Sequence, residues 1–158
     1  MILTSRDREA VQNHQKTVKL NLRSLREFLV LARRELKLSA AGINIRLVSD
    51  TEIRRLNKTY RKKDKATDVL SFPVTNRQSP VRKVHSFSKV SKNEQLGDIA
   101  ISPATARRYA KKHGRSFTGE MRILILHGVL HLLGYDHEAD DGEMDRTESR
   151  LRQRLGLQ

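Results

Sequence analysis

The stretch from 118 to 133 constrains this chain most. Met121, Ile123, Leu124, Leu126, Val129, Leu130 and Leu133 fall nearly all round a helix of 3.6-residue period. Such a helix has no face to offer solvent. It must be covered on every side, so it predicts the buried centre of a layered domain. The helix nevertheless carries His127 and His131, in the run HGVLHLLGYDH. Gly134 fits the left-handed position that ends a helix, and His137 follows three residues later. Burying imidazoles in an apolar helix without partners is costly.

Residues i and i+4 share a helix face about 6 Å apart, so His127 and His131 can aim at one ion. The break at Gly134 lets His137 approach from the loop. The bland alternative is a set of satisfied core histidines. It fits one histidine well and three at this spacing poorly. Three neutral imidazoles suit Zn²⁺, and three protein ligands leave a fourth position open, as in catalytic zinc sites. Zinc at such a position lowers the pKa of bound water to about 7. Imidazoles also accept Ni²⁺, Co²⁺ or Cu²⁺. The chain has no cysteine, which excludes thiolate ligands and disulfides. The pattern HxxxHxxxxxH is the ligand spacing of metzincin metalloproteases, but their general-base Glu after the first His is here Gly128. The helix offers ligands without the peptidase base.

Around this helix the pattern alternates strands and helices. A short strand is expected near 11–18. Asn21 caps an amphipathic helix with Leu22, Leu25, Leu29 and Leu36 on one face. Residues 43–48 alternate as a half-buried strand, and Asp50 is expected to cap a short helix reaching about Tyr60. Arg61 to Lys65 reads as a basic loop. Residues 69–74 form a strand that Pro73 assigns to a sheet edge. Residues 75–95 are polar and aperiodic and read as a long mobile loop. Residues 96–102 form the next strand. Ser102 and Pro103 start a helix that stops near Gly114, and a last helix covers about 141–155. The expectation is one α+β domain over 1–158. A small mixed β-sheet is packed with about five helices, and the metal site lies at the end of the central helix.

The net charge is +14. Residues 136–148 hold seven acids and one base, −6, so the other 145 residues carry 31 bases and 11 acids, +20. A surface this basic attracts polyanions, nucleic acid foremost. No run approaches the roughly 20 apolar residues of a membrane span, and the N-terminus lacks a secretory apolar core. A cytoplasmic protein without a membrane role is expected.

HGVLHLLGYDH, LNKTYRKKDKATDVLSFP at 56–73 and LGDIAIS at 96–102 occur in the order of, and closely resemble, segments of the YbeY family of bacterial metal-dependent endoribonucleases. Met144 and Glu148 in the acidic last helix are in keeping. Residues 75–95 do not align, and Ala66 stands where many members have Pro. The resemblance implies hydrolysis of single-stranded RNA, maturation of the 3′ end of the small-subunit rRNA, and ribosome quality control. It implies His127, His131 and His137 as ligands of one Zn²⁺ per chain and Arg61 as a functional arginine. Association with the small ribosomal subunit and a ribosome-assembly GTPase is implied too.

On this reading Arg61 binds the phosphate, since its planar fork matches phosphate oxygens. Sequence alone would leave Arg61 a solvated loop charge. Lys62, Lys63 and Lys65 guide the RNA backbone, and Ser71 and Thr67 either touch RNA or cap turns. No general base is identified: Asp136, Glu120, Asp68 and Asp98 are the carboxylates to weigh. With 4% aromatic residues and no Trp, extensive base stacking is not expected. The competing classes are a metallohydrolase of another substrate, such as a peptide, and a non-catalytic assembly factor with structural zinc.

Overall fold

The computed structural model describes residues 1–38, 42–74, 95–138 and 140–157. The polar segment expected as a loop falls almost wholly on 75–94, outside the described residues. The helices are α1 (Ser5–Glu9), α2 (Leu22–Glu35), α3 (Asp50–Arg61), α4 (Pro103–Lys112), α5 (Phe117–Leu132) and α6 (Glu143–Arg154). The strands are β1 (Val11–Asn13), β2 (Gly42–Leu47), β3 (Val69–Pro73) and β4 (Gln95–Ile101). They form one four-stranded sheet in the order β1-β2-β4-β3. β1, β2 and β4 run parallel, and β3 pairs antiparallel with β4 at the edge. Pro73 therefore sits where its missing N–H costs no central ladder bond.

Strand alternation sorts the sheet into two faces. Val11, Ile45, Ile99 and Ser71 form one cross-strand row, and Gln12, Arg46, Ala100 and Leu70 the next. The first row faces the main core, where α5 lies. Met121, Ile125, Leu126, Val129 and Leu130 of α5 are fully buried. Each such side chain contributes about 1.5–3 kcal/mol by leaving water. α2 and α4 flank α5, as an all-round apolar helix requires. The second face carries a smaller cluster in which Ile53 of α3 meets Val48, Leu70 and Ala100.

α5 approaches β4 closely because Gly128 has no side chain. A Cβ there would lie 2.8 Å from Ile99 Cδ1 and 2.9 Å from its Cγ2. The position that carries a carboxylate in metzincins is thus filled by a neighbour from the sheet. Gly134 adopts φ 94°, and the N–H groups of Gly134 and Tyr135 donate to the carbonyls of His131 and Leu130. This closes α5 as expected and turns the chain back toward the helix end.

Local details depart from the sequence reading in explicable ways. β1 stops at Asn13 because buried Gln15 takes over the backbone: its side chain accepts from Val18 N–H at 2.8 Å and donates to Val18 C=O at 2.9 Å. α1 was not anticipated, although Thr4 and Asp7 form a reciprocal capping box. Ser49, not Asp50, caps α3. Asp50 instead ties α3 to α4, accepting from Ser102 Oγ (2.6 Å), Thr105 Oγ1 (2.7 Å) and Arg108 (2.9 Å). α6 begins at Glu143, where the Asp140 carboxylate accepts from three successive backbone N–H groups. No helix among the described residues is long and apolar enough to cross a membrane.

Two stability measurements follow. Gly128→Val overpacks the α5–β4 contact and lowers the unfolding free energy by about 1–3 kcal/mol. In a denaturant double-mutant cycle, adding Ile99→Ala recovers part of that loss; additive losses would dissociate the two residues. Although burial pushes the Asp50 carboxyl up, its three hydrogen bonds and the Arg108 charge hold it below the ordinary 3.8. A depressed carboxylate stabilises above the unfolded-state pKa and loses that contribution as pH falls through the folded value. The stability deficit of Asp50→Asn is therefore full at pH 7 and shrinks below about pH 4; a pH-independent deficit would show that its charge is immaterial.

Candidate metal centre

His127 and His131 lie one turn apart at the C-terminal end of α5, and His137 reaches them from the loop beyond Gly134. One ring nitrogen from each lies within 4.8 Å of the others. His127 Nε2 and His131 Nε2 are 3.0 Å apart. The ring centroids are separated by 4.6, 5.1 and 5.8 Å. Three nitrogen lone pairs can thus converge on one point. His127 and His131 are half-buried and His137 is exposed, so the cluster opens toward solvent on one side.

The far nitrogens are held. His127 Nδ1 lies 2.8 Å from Glu148 Oε2, and His137 Nδ1 lies 2.9 Å from Asp145 Oδ1. An Nδ1–H donated to a carboxylate leaves Nε2 unprotonated and directed inward. Burial pushes the Glu148 carboxyl up, but the His127 hydrogen bond and the charges of His127, Arg152 and His137 outweigh it and hold it low. His131 is pushed down from 6.5 to about 4 by burial, then by its two histidine neighbours, against an upward pull from the Asp136 charge, with Arg61 adding a smaller downward push. It therefore stays neutral, the form that binds a metal, throughout the neutral range. The donor set fits a borderline divalent ion: three imidazoles, two of them with a carboxylate on Nδ1.

The other expected residues gather unequally. Arg61 ends α3, is exposed, and is close enough for its charge to act on His131. Lys62 takes the left-handed C-cap at φ 59°. Lys63 and Lys65 follow in a built turn, with Lys65 C=O accepting from the buried Asn57 side chain at 2.8 Å. Asp64 is held by Arg54 and Lys58 at 2.9 and 3.2 Å, so the loop's only acid points back along α3. Lys62, Lys63 and Lys65 are all exposed. Ser71 Oγ donates to Gly128 C=O at 3.4 Å, which places the hydroxyl beside the residue after His127.

The four carboxylates weighed as bases have other hydrogen-bond partners, though the Asp136 charge also acts on His131. Glu120 is buried against Arg115 at 3.1 Å. Asp68 accepts from Val69 N–H at 2.8 Å, Asp98 from Asn44 at 3.1 Å, and Asp136 from Glu138 N–H at 3.0 Å. Asp145 and Glu148, which do meet the histidines, were not given that role in the sequence reading. Their signal was an i, i+3 acidic pair on one face of the helix after the motif.

The fold and the cluster define a class: an α+β domain whose central helix ends in a three-histidine metal-type centre. Comparison with known proteins narrows it. The family model described as Endoribonuclease YbeY matches residues 9–156. The chain is 44% identical over 147 residues to an Endoribonuclease YbeY of Koribacter versatilis, covering 90% of this chain and 83% of that protein. It is 44% identical over 132 residues to one from Aquifex aeolicus, 80% of each chain. The solution structure of TM1509 from Thermotoga maritima superposes with a TM-score of 0.60 at 26% identity, covering 92% of this chain and 88% of that one. This chain belongs to the endoribonuclease YbeY family.

If the three histidines hold a divalent ion and Glu148 orients His127, Glu148→Ala weakens the affinity for added Zn²⁺, used as the probe, by about 10- to 100-fold. Glu148→Gln, whose amide oxygen can still accept from Nδ1–H, retains most of the affinity. Competition with a chromophoric chelator measures both; equal affinity in Glu148→Ala and wild type would remove the orienting role.

Proposed function

We propose that this chain is a zinc-dependent endoribonuclease that hydrolyses phosphodiester bonds in single-stranded RNA. The observation that carries the proposal is three imidazole nitrogens within 4.8 Å of one another, in a chain that belongs to the endoribonuclease YbeY family. A divalent ion held by His127, His131 and His137 would supply Lewis acidity and an activated water. The chain's own groups do the rest. Glu148 and Asp145 keep the imidazoles of His127 and His137 in the ligating tautomer. Arg61 binds a non-bridging phosphate oxygen through its guanidinium fork and stabilises the charge that grows there as water adds to phosphorus and a P–O ester bond breaks. Lys62, Lys63 and Lys65 hold flanking phosphates, and Ser71 offers its hydroxyl to the strand at the Gly128 edge.

The substrate we assign is rRNA, at the 3′ end of the small-subunit rRNA, in its maturation and in ribosome quality control. The small ribosomal subunit and a ribosome-assembly GTPase are the proposed partners, and the cytoplasm the compartment. A charge of +14 supports a polyanionic substrate. Ile99 against Gly128 argues against a peptidase, because it fills the space a base carboxylate would need.

The test is a cleavage time course on single-stranded RNA carrying the small-subunit 3′ extension. His131→Ala abolishes cutting, and Arg61→Ala lowers the rate by about 10²- to 10³-fold. Equal cutting by wild type and His131→Ala would assign the activity to a contaminant. Intact RNA with wild type, free or on the subunit, would leave a non-catalytic assembly factor.

A further inference from the structure

The second face of the sheet holds a groove of about 770 Å³, a size suited to a small organic group. Its walls include Arg46, Arg55, Tyr60, Phe72 and Asp98. Tyr60 and Phe72 meet edge to face, with ring centroids 5.1 Å apart. Tyr60 is 64% exposed, far more than its packing on Phe72 requires. Leu56, Val48 and Ala100 supply an apolar floor.

Two chain adjacencies connect this groove to the metal centre. Tyr60 immediately precedes Arg61, the cation that acts on His131. Phe72 immediately follows Ser71, whose hydroxyl meets Gly128 beside His127. Consecutive Cα atoms lie about 3.8 Å apart, and consecutive strand residues point to opposite faces. The edge strand β3 thus separates the two sites by its own thickness: Ser71 on the histidine side, Phe72 on the groove side. A strand held at Arg61 has the next aromatic surface at Tyr60.

We propose that the groove is a nucleobase subsite. A base one nucleotide removed from the reacting phosphate stacks on Tyr60 at the edge of β3. This rests on the ribonuclease reading and adds where the strand goes. The charge suits an RNA occupant. Glu52 and Arg55 pair with each other through two hydrogen bonds, at 2.9 and 2.7 Å, and Asp98 is engaged by Asn44 at 3.1 Å, so the charged lining balances and the cationic excess comes from the turn after Arg61. Exposed Arg46 lies in the groove, and the exposed Lys62, Lys63 and Lys65 follow Tyr60 and Arg61 along the chain. Stacking on one ring tolerates every base, so the subsite adds affinity and register without strong sequence preference.

The experiment measures binding and cutting of the same labelled single-stranded RNA by the full chain. Binding is read by fluorescence anisotropy in chelator, and cutting in zinc. Tyr60→Ala weakens binding by about 5- to 150-fold, and Tyr60→Phe stays within about twofold of wild type. Replacing one nucleotide next to the cut position by an abasic residue costs wild type a similar factor and costs Tyr60→Ala nothing further. Circular dichroism and the melting temperature establish that each variant is folded. Wild-type affinity in Tyr60→Ala, or an abasic penalty equal in both proteins, overturns the subsite while leaving the nuclease reading intact. Failure of wild type to bind or cut overturns both.

Discussion

The contact between Gly128 and Ile99 sets the rest of the structure. Helix α5 packs onto the Ile99 side chain of β4 with no Cβ at the crossing, where one would lie 2.8 Å from that side chain. That closeness buries the apolar sides of α5 against the sheet and its flanking helices. It also fixes how α5 is turned about its axis. With Gly128 against the sheet, its neighbour His127 points to the side where α6 lies, and His131 follows one turn on. There Glu148 meets His127, and the loop returning from Gly134 delivers His137 to Asp145. The opposite side of the same contact engages Ser71 of the edge strand through Gly128 C=O. One missing side chain therefore determines both which groups surround the histidines and which strand borders them.

Local chemistry was legible in the sequence where a residue type acts on its own backbone. Asn21 and Ser102 cap their helices, Pro103 begins one, Gly134 ends one, and Pro73 marks an edge strand. The histidine spacing was legible for the same reason: i, i+4 and a break are statements about one helix. What depends on distant partners was not. Asp50 looks like an N-cap, yet its partners Ser102, Thr105 and Arg108 lie more than fifty residues away. Gln15 looks like a strand residue, but burial turns it into a substitute for backbone pairing. Glu148 is visible in the sequence as part of an acidic helix that fits the family resemblance, but not as the partner of His127. Gly128 reads as a lost carboxylate, and only the packing shows that the space belongs to Ile99.

Where the carboxylates stand also bears on substrate charge. In the peptidase pattern, the acid after the first histidine faces the substrate and takes its proton. Here Glu148 and Asp145 lie behind the rings, on the Nδ1 sides of His127 and His137. Asp136 and Arg61 also lie close enough for their charges to act on His131, and the turn after Arg61 is basic, its one acid, Asp64, held by Arg54 and Lys58. For a peptide this arrangement lacks a base. For a phosphodiester, carboxylates behind the rings keep Glu148 and Asp145 out of the approach path, where an anionic substrate would face like charge at reduced dielectric. The same three-histidine spacing can thus serve neutral or anionic substrates, and the side of the rings on which the acids sit decides between them. In this chain that choice follows from two packing facts, Ile99 filling the place beside His127 and α6 lying across the end of α5.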